Sequence, residues 1–341
     1  MQFGRRALIS GFMRILFVTS NRVGDAVLST VVLRTLIHRY PGARITIACG
    51  PAAVSLFRGV PGLHRILPMA KQRSGGHWLA LWLATVTTSW DMIVDLRASG
   101  LAWLLPAKKR RIYQPTKSYI HRVESLGRFI EANVGPKIWL TPEAEAAASR
   151  LLPLGGSAPL ALGPTANWIG KQWPIERFIE LAERLTAPGV PFADAPILVL
   201  GGPGERAAAQ PLLDRLPAGR CVDLVGTVDL LTAAACLARA RLYIGNDSGL
   251  MHLAAAAGAP TLGLFGPSQE MHYAPYGRFT ATVRGEPYDV LFDRAQHDRV
   301  QKPPVKVSYM GSITVDAVHD TALDLLMRSQ DVPAAPSHVP A

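Results

Sequence analysis

Runs of β-branched and aliphatic residues alternate along the chain with runs that have helical spacing. The clearest strand signal in the first half is the segment 14–20, RILFVTS, and a helix signal follows at 26–39 after a polar turn. Short strands separated by segments of helix length are typical of a parallel sheet, because parallel strands need a long crossover connection. The sequence therefore predicts an α/β fold with parallel sheets.

The alternating pattern restarts in the second half. A helix is predicted at 143–152, a stretch rich in Pro, Gly and Ser follows it, and the segment 160–166 opens a second series of strands and helices. A chain of 341 residues is long enough for about two domains. We therefore expect two facing Rossmann-like domains, at 1–152 and 153–330, with a closing C-terminal helix and a flexible tail at 331–341.

Polar turns follow the predicted strands, where ligands of parallel sheets bind. The turn 245–249, GNDSG, precedes a short helix at 250–258. Asp247 or Ser248 suits the N-cap of this helix, so that backbone N–H groups and the positive end of the helix dipole point outward. His252 follows in the first turn, where it is able to donate to the same ligand. The turn predicts an anion site suited to a diphosphate, although an ordinary cap with a buried histidine has the same sequence.

The stretch 245–268, GNDSGLMHLAAAAGAPTLGLFGPS, resembles the signature of the glycosyltransferase family that contains the ADP-heptose:lipopolysaccharide heptosyltransferases. Further stretches match this family in the same order, namely 14–36, 90–105, 163–185 and 313–326. The resemblance covers about residues 13–328. It implies a GT-B fold and an inverting transfer of a sugar, heptose from ADP-heptose, to an anionic acceptor such as the lipopolysaccharide core.

The resemblance also implies roles for single residues. Asp25 matches the general base that takes a proton from the acceptor hydroxyl, and its alternative role is to cap the first helix. Lys171 matches the lysine that meets the donor diphosphate, where a cation stabilises the leaving group. Thr165 is a candidate for the same phosphate, and Glu205 matches an acidic position that contacts the nucleotide ribose. The remaining residues of the expected donor site are Asp247, Ser248, Gly249 and His252.

Positive charge is concentrated in the first half of the chain. Residues 1–150 contain 21 Lys and Arg against 7 Asp and Glu, whereas residues 151–341 contain 15 against 18. The densest basic run, at 107–123, is interpreted as a solvated loop and helix face unless it meets an anionic partner. With the family resemblance, we expect the first domain to bind the acceptor. The candidate acceptor contacts are Arg97, Lys108, Lys109, Arg110 and Arg111.

No metal or other cofactor is expected beyond the nucleotide-sugar co-substrate. A D-x-D metal signature is missing near the polar turns, and Cys49, Cys221 and Cys236 are scattered among apolar neighbours. These cysteines are expected to be small buried residues. Several relatives carry a cysteine-rich loop before the final helix, but residues 284–312 contain no cysteine, so acceptor contacts from that loop are not assigned.

The segment 78–88, WLALWLATVTT, is shorter than the ~18 apolar residues of a membrane span, and we interpret it as a buried helix. The pair Arg5 and Arg6 raises export as an alternative, but Arg14 interrupts the apolar run that follows. We therefore expect a cytoplasmic protein with peripheral contact with the cytoplasmic face of the membrane. Met13 is an alternative start.

Other functions stay open at this point. The series Gly202-x-Gly204-x-x-Ala207 with Asp223 is a variant dinucleotide fingerprint, which favours an oxidoreductase, although Pro203 interrupts the turn. The basic first half suits nucleic acid, but no recognition motif accompanies it, so no nucleic-acid partner is expected. A transferase that uses another nucleotide sugar, such as a UDP-sugar, and a non-catalytic ligand-binding protein both fit the same motifs.

Overall fold

The computed structural model describes residues 12–115, 119–152, 156–301 and 306–330. It contains two fully parallel sheets. The first sheet has the strand order β3-β2-β1-β4-β5. Its strands are β1 (Arg14–Val18), β2 (Arg44–Cys49), β3 (Leu63–Pro68), β4 (Trp90–Asp95) and β5 (Ala107–Ile112).

The second sheet repeats this topology with one more strand, in the order β8-β7-β6-β9-β10-β11. Its strands are β6 (Leu160–Gly163), β7 (Ile197–Gly201), β8 (Cys221–Val225), β9 (Leu242–Asn246), β10 (Thr261–Phe265) and β11 (Thr280–Arg284). In each sheet the order of the strands reverses beside its first strand, which creates a crevice for ligands at the carboxyl ends. These crevices lie between β1 and β4 and between β6 and β9.

Helices cover the faces of both sheets, as parallel strands require. In the first half they are α1 (Val23–Arg39), α2 (Gly76–Thr85), α3 (Arg122–Ile130) and α4 (Pro142–Leu151). In the second half they are α5 (Ile175–Leu185), α6 (Arg206–Arg215), α7 (Leu230–Leu237), α8 (Gly249–Ala257), α9 (Glu270–Tyr273), α10 (Tyr288–Val300) and α11 (Val315–Gln330). The α/β class with two Rossmann-like halves and a C-terminal helix is confirmed.

The two halves share a hydrophobic core. One cluster of buried side chains contains Phe17 and Val31 of the first half together with Leu200 and Leu253 of the second. At its edge the Arg58 guanidinium donates to the Asp229 carboxylate at 3.0 Å. The predicted boundary at 152/153 adjoins residues outside the described ranges and stays a prediction. Arg5, Arg6, residues 116–118 of the basic run at 107–123 and the predicted tail at 331–341 also lie outside those ranges.

Three local predictions were wrong. Helix α1 begins at Val23 rather than at residue 26, so that Arg22 occupies the N-cap position. Residues 107–112 of the basic run at 107–123 form the edge strand β5 rather than a loop, and the helix is reached only at its last residues, where α3 begins at Arg122. Helix α2, expected to be buried, buries only Leu81 and Thr85. A helix made almost entirely of apolar residues shows no periodic pattern from which its buried face can be read. The sequence therefore did not reveal that one side of α2 is exposed.

The cysteines behave largely as expected. Cys49 and Cys236 are buried, and burial raises the pKa of Cys49 to about 12 and that of Cys236 to about 11. Cys221 is only partly buried. All three are free thiols, and the two buried ones are too strongly protonated to act as nucleophiles at neutral pH.

Candidate active site

The turn after β1 contacts the turn after β9, so the two halves of the molecule meet at their ligand crevices. A Cβ atom on Gly249 would lie 2.9 Å from Val23 Cβ and 3.0 Å from Gly24 N. A Cβ on Gly24 would lie 3.0 Å from Cδ2 of His252. Because both positions are glycine, the amino ends of α1 and α8 approach each other to backbone contact.

Asp25 lies in the first turn of α1, at this contact. Its Oδ2 accepts a weak hydrogen bond from Ser20 Oγ at 3.4 Å, and its side chain remains partly exposed. The alternative role of Asp25 as the N-cap of α1 was wrong, because the helix begins two residues earlier and no side chain caps it. The carboxylate is therefore available to a ligand in the cleft.

Lys171 is joined to the turn after β9 by an ion pair. Lys171 Nζ donates to Asp247 Oδ2 at 2.6 Å, and Ser268 Oγ donates to the same oxygen at 2.7 Å. Asp247 is almost fully buried, whereas the lysine keeps part of its surface exposed. The aspartate thus fixes the position of a cation beside the amino end of α8.

The loop that carries Lys171 is held by contacts that the sequence analysis missed. Buried Asn246 accepts a hydrogen bond from Trp173 N at 3.0 Å and donates to Pro164 O at 2.8 Å. On the outer side, Ser308 Oγ donates to Gln172 O at 2.6 Å. These contacts come from segments far apart in the chain, so only the polar character of Asn246 at a strand end signalled its role.

Thr165 and Glu205, predicted as separate donor contacts, lie together at the carboxyl ends of β6 and β7. Thr165 Oγ1 donates to Glu205 Oε2 at 2.6 Å, and Gly202 N donates to the same oxygen at 2.7 Å. The carboxylate is therefore oriented before any ligand arrives. On the other side of this turn Asp223, the acid of the dinucleotide alternative, is paired with Arg206 at 2.6 Å.

Buried polar atoms without partners cluster around the amino end of α8. Within the described residues, Ser248 Oγ, His252 Nδ1 and Tyr243 Oη are buried, and none has a hydrogen-bond partner beyond the contact between the two hydroxyls. Ser248 occupies the predicted N-cap position, but its side chain makes no capping hydrogen bond. Such atoms are costly to leave unpaired, so their concentration at one turn indicates a polar ligand.

Tyr243 is a member of this group that the sequence analysis missed. Its side chain crosses two glycines that are paired in register, Gly245 of β9 and Gly163 of β6, where added Cβ atoms would lie within 2.4 Å and 2.0 Å of the hydroxyl. Burial raises the pKa of Tyr243, and the neighbouring Ser248 hydroxyl partly opposes this shift. The phenol therefore remains a neutral donor. Glycines at the ends of two adjacent strands were the available signal.

His252 is buried against the first turn of α1. Burial lowers the pKa of His252 to about 4, and the Asp247 carboxylate partly opposes this shift. The ring is therefore neutral at physiological pH and acts as a hydrogen-bonding group rather than as a cation. On the opposite side of the contact, Asn21 Oδ1 is also buried and unpaired among the described residues.

Arg97 lies at the carboxyl end of β4, beside the turn that carries Asp25. The buried Asp95 carboxylate accepts hydrogen bonds from Arg97 N at 2.8 Å and from Ser99 N at 3.0 Å, which fixes this turn. The Arg97 guanidinium is exposed and lies 5.5 Å from the centre of the Trp78 ring. The predicted acceptor residue Arg97 thus belongs to the first crevice.

The four predicted cations of β5 have mostly local partners. Lys108 Nζ donates to Asp91 Oδ1 at 2.7 Å, and Arg111 donates to Phe129 O and to Glu131 Oε1, each at 3.0 Å. Arg110 donates to the carbonyls of Ala102, Leu105 and Ala107. Lys109 is exposed. Strand β5 is at the edge of the sheet, so these side chains are not brought to the contact between α1 and α8.

The described part of the chain holds no group of three or more His, Cys, Asp or Glu side chains arranged to bind a metal ion. A distant structural relative, TibC from enterotoxigenic E. coli, is described as iron-containing, at 14% identity and a TM-score of 0.56 over 94% of this chain and 80% of that one. The expectation that this protein needs no metal therefore stays a prediction. No helix in the described ranges is long and apolar enough to cross a membrane.

Comparison with curated proteins finds several heptosyltransferases. The chain is 25% identical to lipopolysaccharide heptosyltransferase 2 of Salmonella typhimurium over 80% of its own length and 88% of the relative. It is 27% identical to lipopolysaccharide heptosyltransferase 1 of Pseudomonas aeruginosa over 78% of its length and 82% of the relative. The matches thus extend over most of both chains.

Comparison with solved structures identifies the same architecture. The E. coli ADP-heptose LPS heptosyltransferase II superposes with a TM-score of 0.74 at 20% identity, covering 93% of this chain and all of that one. The family model of glycosyltransferase family 9 (heptosyltransferase) matches residues 130–302, about half of the chain. The chain therefore belongs to glycosyltransferase family 9 and is a glycosyltransferase.

Proposed function

We propose that the protein transfers heptose from ADP-heptose, with inversion, to an acceptor of the lipopolysaccharide core. Curated relatives that match most of the chain are named as lipopolysaccharide heptosyltransferases. The site supports transfer from a nucleotide sugar because a cation, a helix amino end and unpaired buried donors converge on one turn.

The observation that carries the proposal is the arrangement around α8. Lys171 is held by Asp247 beside the first turn of this helix, and the hydroxyls of Ser248 and Tyr243 are buried there with no partner beyond each other in the described ranges. A diphosphate would supply acceptors for those hydroxyls and for the first backbone N–H groups of α8. The pair formed by Thr165 and Glu205 lies at the neighbouring strand ends, where a ribose would follow.

In the proposed reaction, Asp25 takes the proton of an acceptor hydroxyl. The oxygen then attacks the anomeric carbon of the heptose, and the bond from that carbon to the phosphate oxygen breaks. ADP leaves with the electron pair of that bond, and its added negative charge is stabilised by Lys171 and the amino end of α8. The neutral imidazole of His252, in the first turn of α8, donates a hydrogen bond to the bound nucleotide sugar. Attack on the face opposite the leaving group inverts the anomeric carbon.

The acceptor is proposed to lie against the first half. Arg97 is exposed at the carboxyl end of β4, next to the turn of Asp25, so it suits an anionic group of the acceptor. Lys108, Lys109, Arg110 and Arg111 are proposed to act on the acceptor by long-range attraction, because three of them already have local partners. The proposed location is cytoplasmic, with the protein bound peripherally to the membrane that carries the acceptor.

Calorimetric titration and thermal unfolding with ADP-heptose, UDP-heptose and GDP-heptose test the donor. ADP-heptose at 100 times its Kd is expected to stabilise the fold by ~2.7 kcal/mol, and Lys171→Ala is expected to weaken this effect. Transfer to a lipopolysaccharide core fragment, followed by assignment of the product anomer, tests the reaction. Selective binding of a UDP-linked sugar, or a product with retained configuration, would contradict the proposal.

A further inference from the structure

Helix α2 carries an apolar surface that nothing in the described chain covers. Leu79 and Leu83 lie one turn apart on the same side of the helix and are 59% and 61% exposed. Trp82 Nε1 donates to Leu104 O at 3.3 Å, which holds the turn 101–104 beside α2. Trp103 and Leu104 in that turn are each 69% exposed. We call these four side chains, Leu79, Leu83, Trp103 and Leu104, the apolar ridge.

The surroundings of the apolar ridge are cationic. Residues 26–90, which include all of α2, contain no Asp or Glu. Lys71 and Arg73 are exposed just before α2, and Arg97 lies against Trp78 in its first turn. Beside the last turn of α2 a cavity of about 200 Å³ contains no acidic side chain in its wall; its basic lining residues are Arg14, Arg44, His64 and Arg65.

We propose that the apolar ridge docks the enzyme on an anionic phospholipid bilayer. Leucine and tryptophan side chains that enter the boundary between headgroups and acyl chains remove apolar surface from water, which is favourable in free energy. Tryptophan is also enriched at this boundary in membrane proteins. The cations at both ends of α2 lie where lipid phosphates meet the protein surface. Apolar side chains flanked by cations match the layered surface of a bilayer, in which phosphates lie above the acyl chains.

The ridge lies on the acceptor side of the molecule. Its cationic end is Arg97, at the carboxyl end of β4, and β4 is paired with the strand that leads to Asp25. Docking by α2 would therefore bring the proposed base close to a bilayer that contains a lipid-linked acceptor. This inference rests on the proposed function, because membrane docking serves the enzyme only if its acceptor is lipid-linked. Vesicle binding itself is measured without donor or acceptor, so it is tested separately.

Flotation with vesicles of phosphatidylcholine, with and without phosphatidylglycerol, tests the proposal on the full chain. Binding is expected only with phosphatidylglycerol and is expected to weaken with salt. Leu79→Gln and Leu83→Gln are each expected to reduce vesicle affinity about tenfold. Met327→Gln, which replaces a side chain that is 60% exposed on α11, is the matched control and is expected to bind as the parent does. Equal binding by all of these proteins would overturn the proposal.

Tryptophan quenching by brominated lipid in the unmodified protein provides a readout that does not depend on the stability of a variant. Quenching is expected and is expected to fall in Trp103→Phe; its absence would overturn the proposal. Sedimentation that shows a dimer abolished by Leu83→Gln would also overturn it, because a second copy would then cover the ridge. Vesicle binding tests the apolar ridge, and ADP-heptose binding tests the proposed function. If the protein binds ADP-heptose but not vesicles, only the membrane inference fails. If it binds vesicles but not ADP-heptose, only the proposed function fails.

Discussion

Lys171 and Asp247 form an ion pair of 2.6 Å between the loop after β6 and the turn after β9, although they are 76 residues apart in the chain. The carboxylate is 7% exposed and the ammonium group's side chain is 26% exposed. A buried carboxylate with a more accessible cation in front of it places positive charge at the surface of the crevice. The pair therefore leaves the cation accessible from the crevice with the acid behind it, an arrangement that suits the proposed diphosphate.

Replacement of Lys171 by Ala is expected to lower kcat/KM by ~10²–10³, because the leaving diphosphate loses a cation that matters most in the transition state. Steady-state kinetics and donor titration measure the effect. Lys137→Ala is the control, since it removes the same charge from an exposed position between α3 and α4. Equal losses of kcat/KM in both variants would show that only net charge matters. A Lys171→Ala variant with normal kcat/KM would show that the lysine does not contact the donor diphosphate.

Replacement of Asp25 by Asn is expected to lower the transfer rate by ~10²–10⁴, because the amide keeps the shape of the carboxylate but cannot accept the proton. Donor affinity and the melting temperature are expected to change little, since Asp25 does not cap α1. Single-turnover assays with matched donor and acceptor measure the rate. Ser20→Ala, which removes only the weak 3.4 Å contact to Asp25, is expected to retain most activity. A normal rate in Asp25→Asn would exclude it as the base.

Replacement of Gly249 by Ala is expected to destabilise the fold by ~1–3 kcal/mol, because the added Cβ would lie 3.0 Å from a backbone atom of Gly24. Urea unfolding measures the free energy. Gly219→Ala is the control, since a Cβ there meets no atom within 4 Å. If both variants unfold at the same urea concentration, the contact between α1 and α8 does not constrain the fold.

Acidification is expected to destabilise the protein through His252. Its pKa is about 4 in the folded state against ~6.5 when unfolded, so the unfolded state binds the proton first. The contribution of His252 to stability is complete above pH ~6.5 and is lost as the pH falls toward 4, by about 3 kcal/mol in total. Urea unfolding at several pH values measures this dependence.

His252→Asn provides the comparison for this titration, because it keeps a polar side chain that does not titrate. The difference in unfolding free energy between the parent and this variant is expected to shrink or reverse between pH 6.5 and 4. Burial also lowers the pKa of His121, but His121 is present in both proteins and cancels in the difference. Parallel pH profiles of the two proteins would contradict a depressed pKa at His252.

The sequence predicted the α/β class and the turns that carry the site, because strand and helix periodicity are local properties and polar residues mark the ends of buried strands. The expectation that Asp25, Thr165, Lys171 and Asp247 lie at strand ends follows from the same reasoning. Their roles rest on the family resemblance and stay predictions. The structure adds that Thr165 donates a hydrogen bond to Glu205 and that Asp247 holds Lys171 in an ion pair.

Contacts between side chains that are far apart in the chain could not be predicted from the sequence. Tyr243 reaches the site only because glycines occur at two positions paired between β6 and β9, and this pairing requires the strand order. The exposure of Leu79 and Leu83 depends on what packs on the outer side of α2, which hydropathy does not reveal. The edge position of β5 likewise follows from strand order, so its cations were misinterpreted as part of a loop and helix.

The end-to-end approach of α1 and α8 has an electrostatic consequence. Each helix presents about half a positive charge at its amino end, so two like poles abut where the halves of the molecule meet. Asp25 compensates one pole from within its own helix, and a bound diphosphate would act as counter-ion to the other. Binding of the nucleotide sugar in the crevice would thus reduce the repulsion between the halves. The donor would then stabilise the contact between the halves as well as react. Separation of the halves should then become harder as the crevice fills, in step with donor concentration.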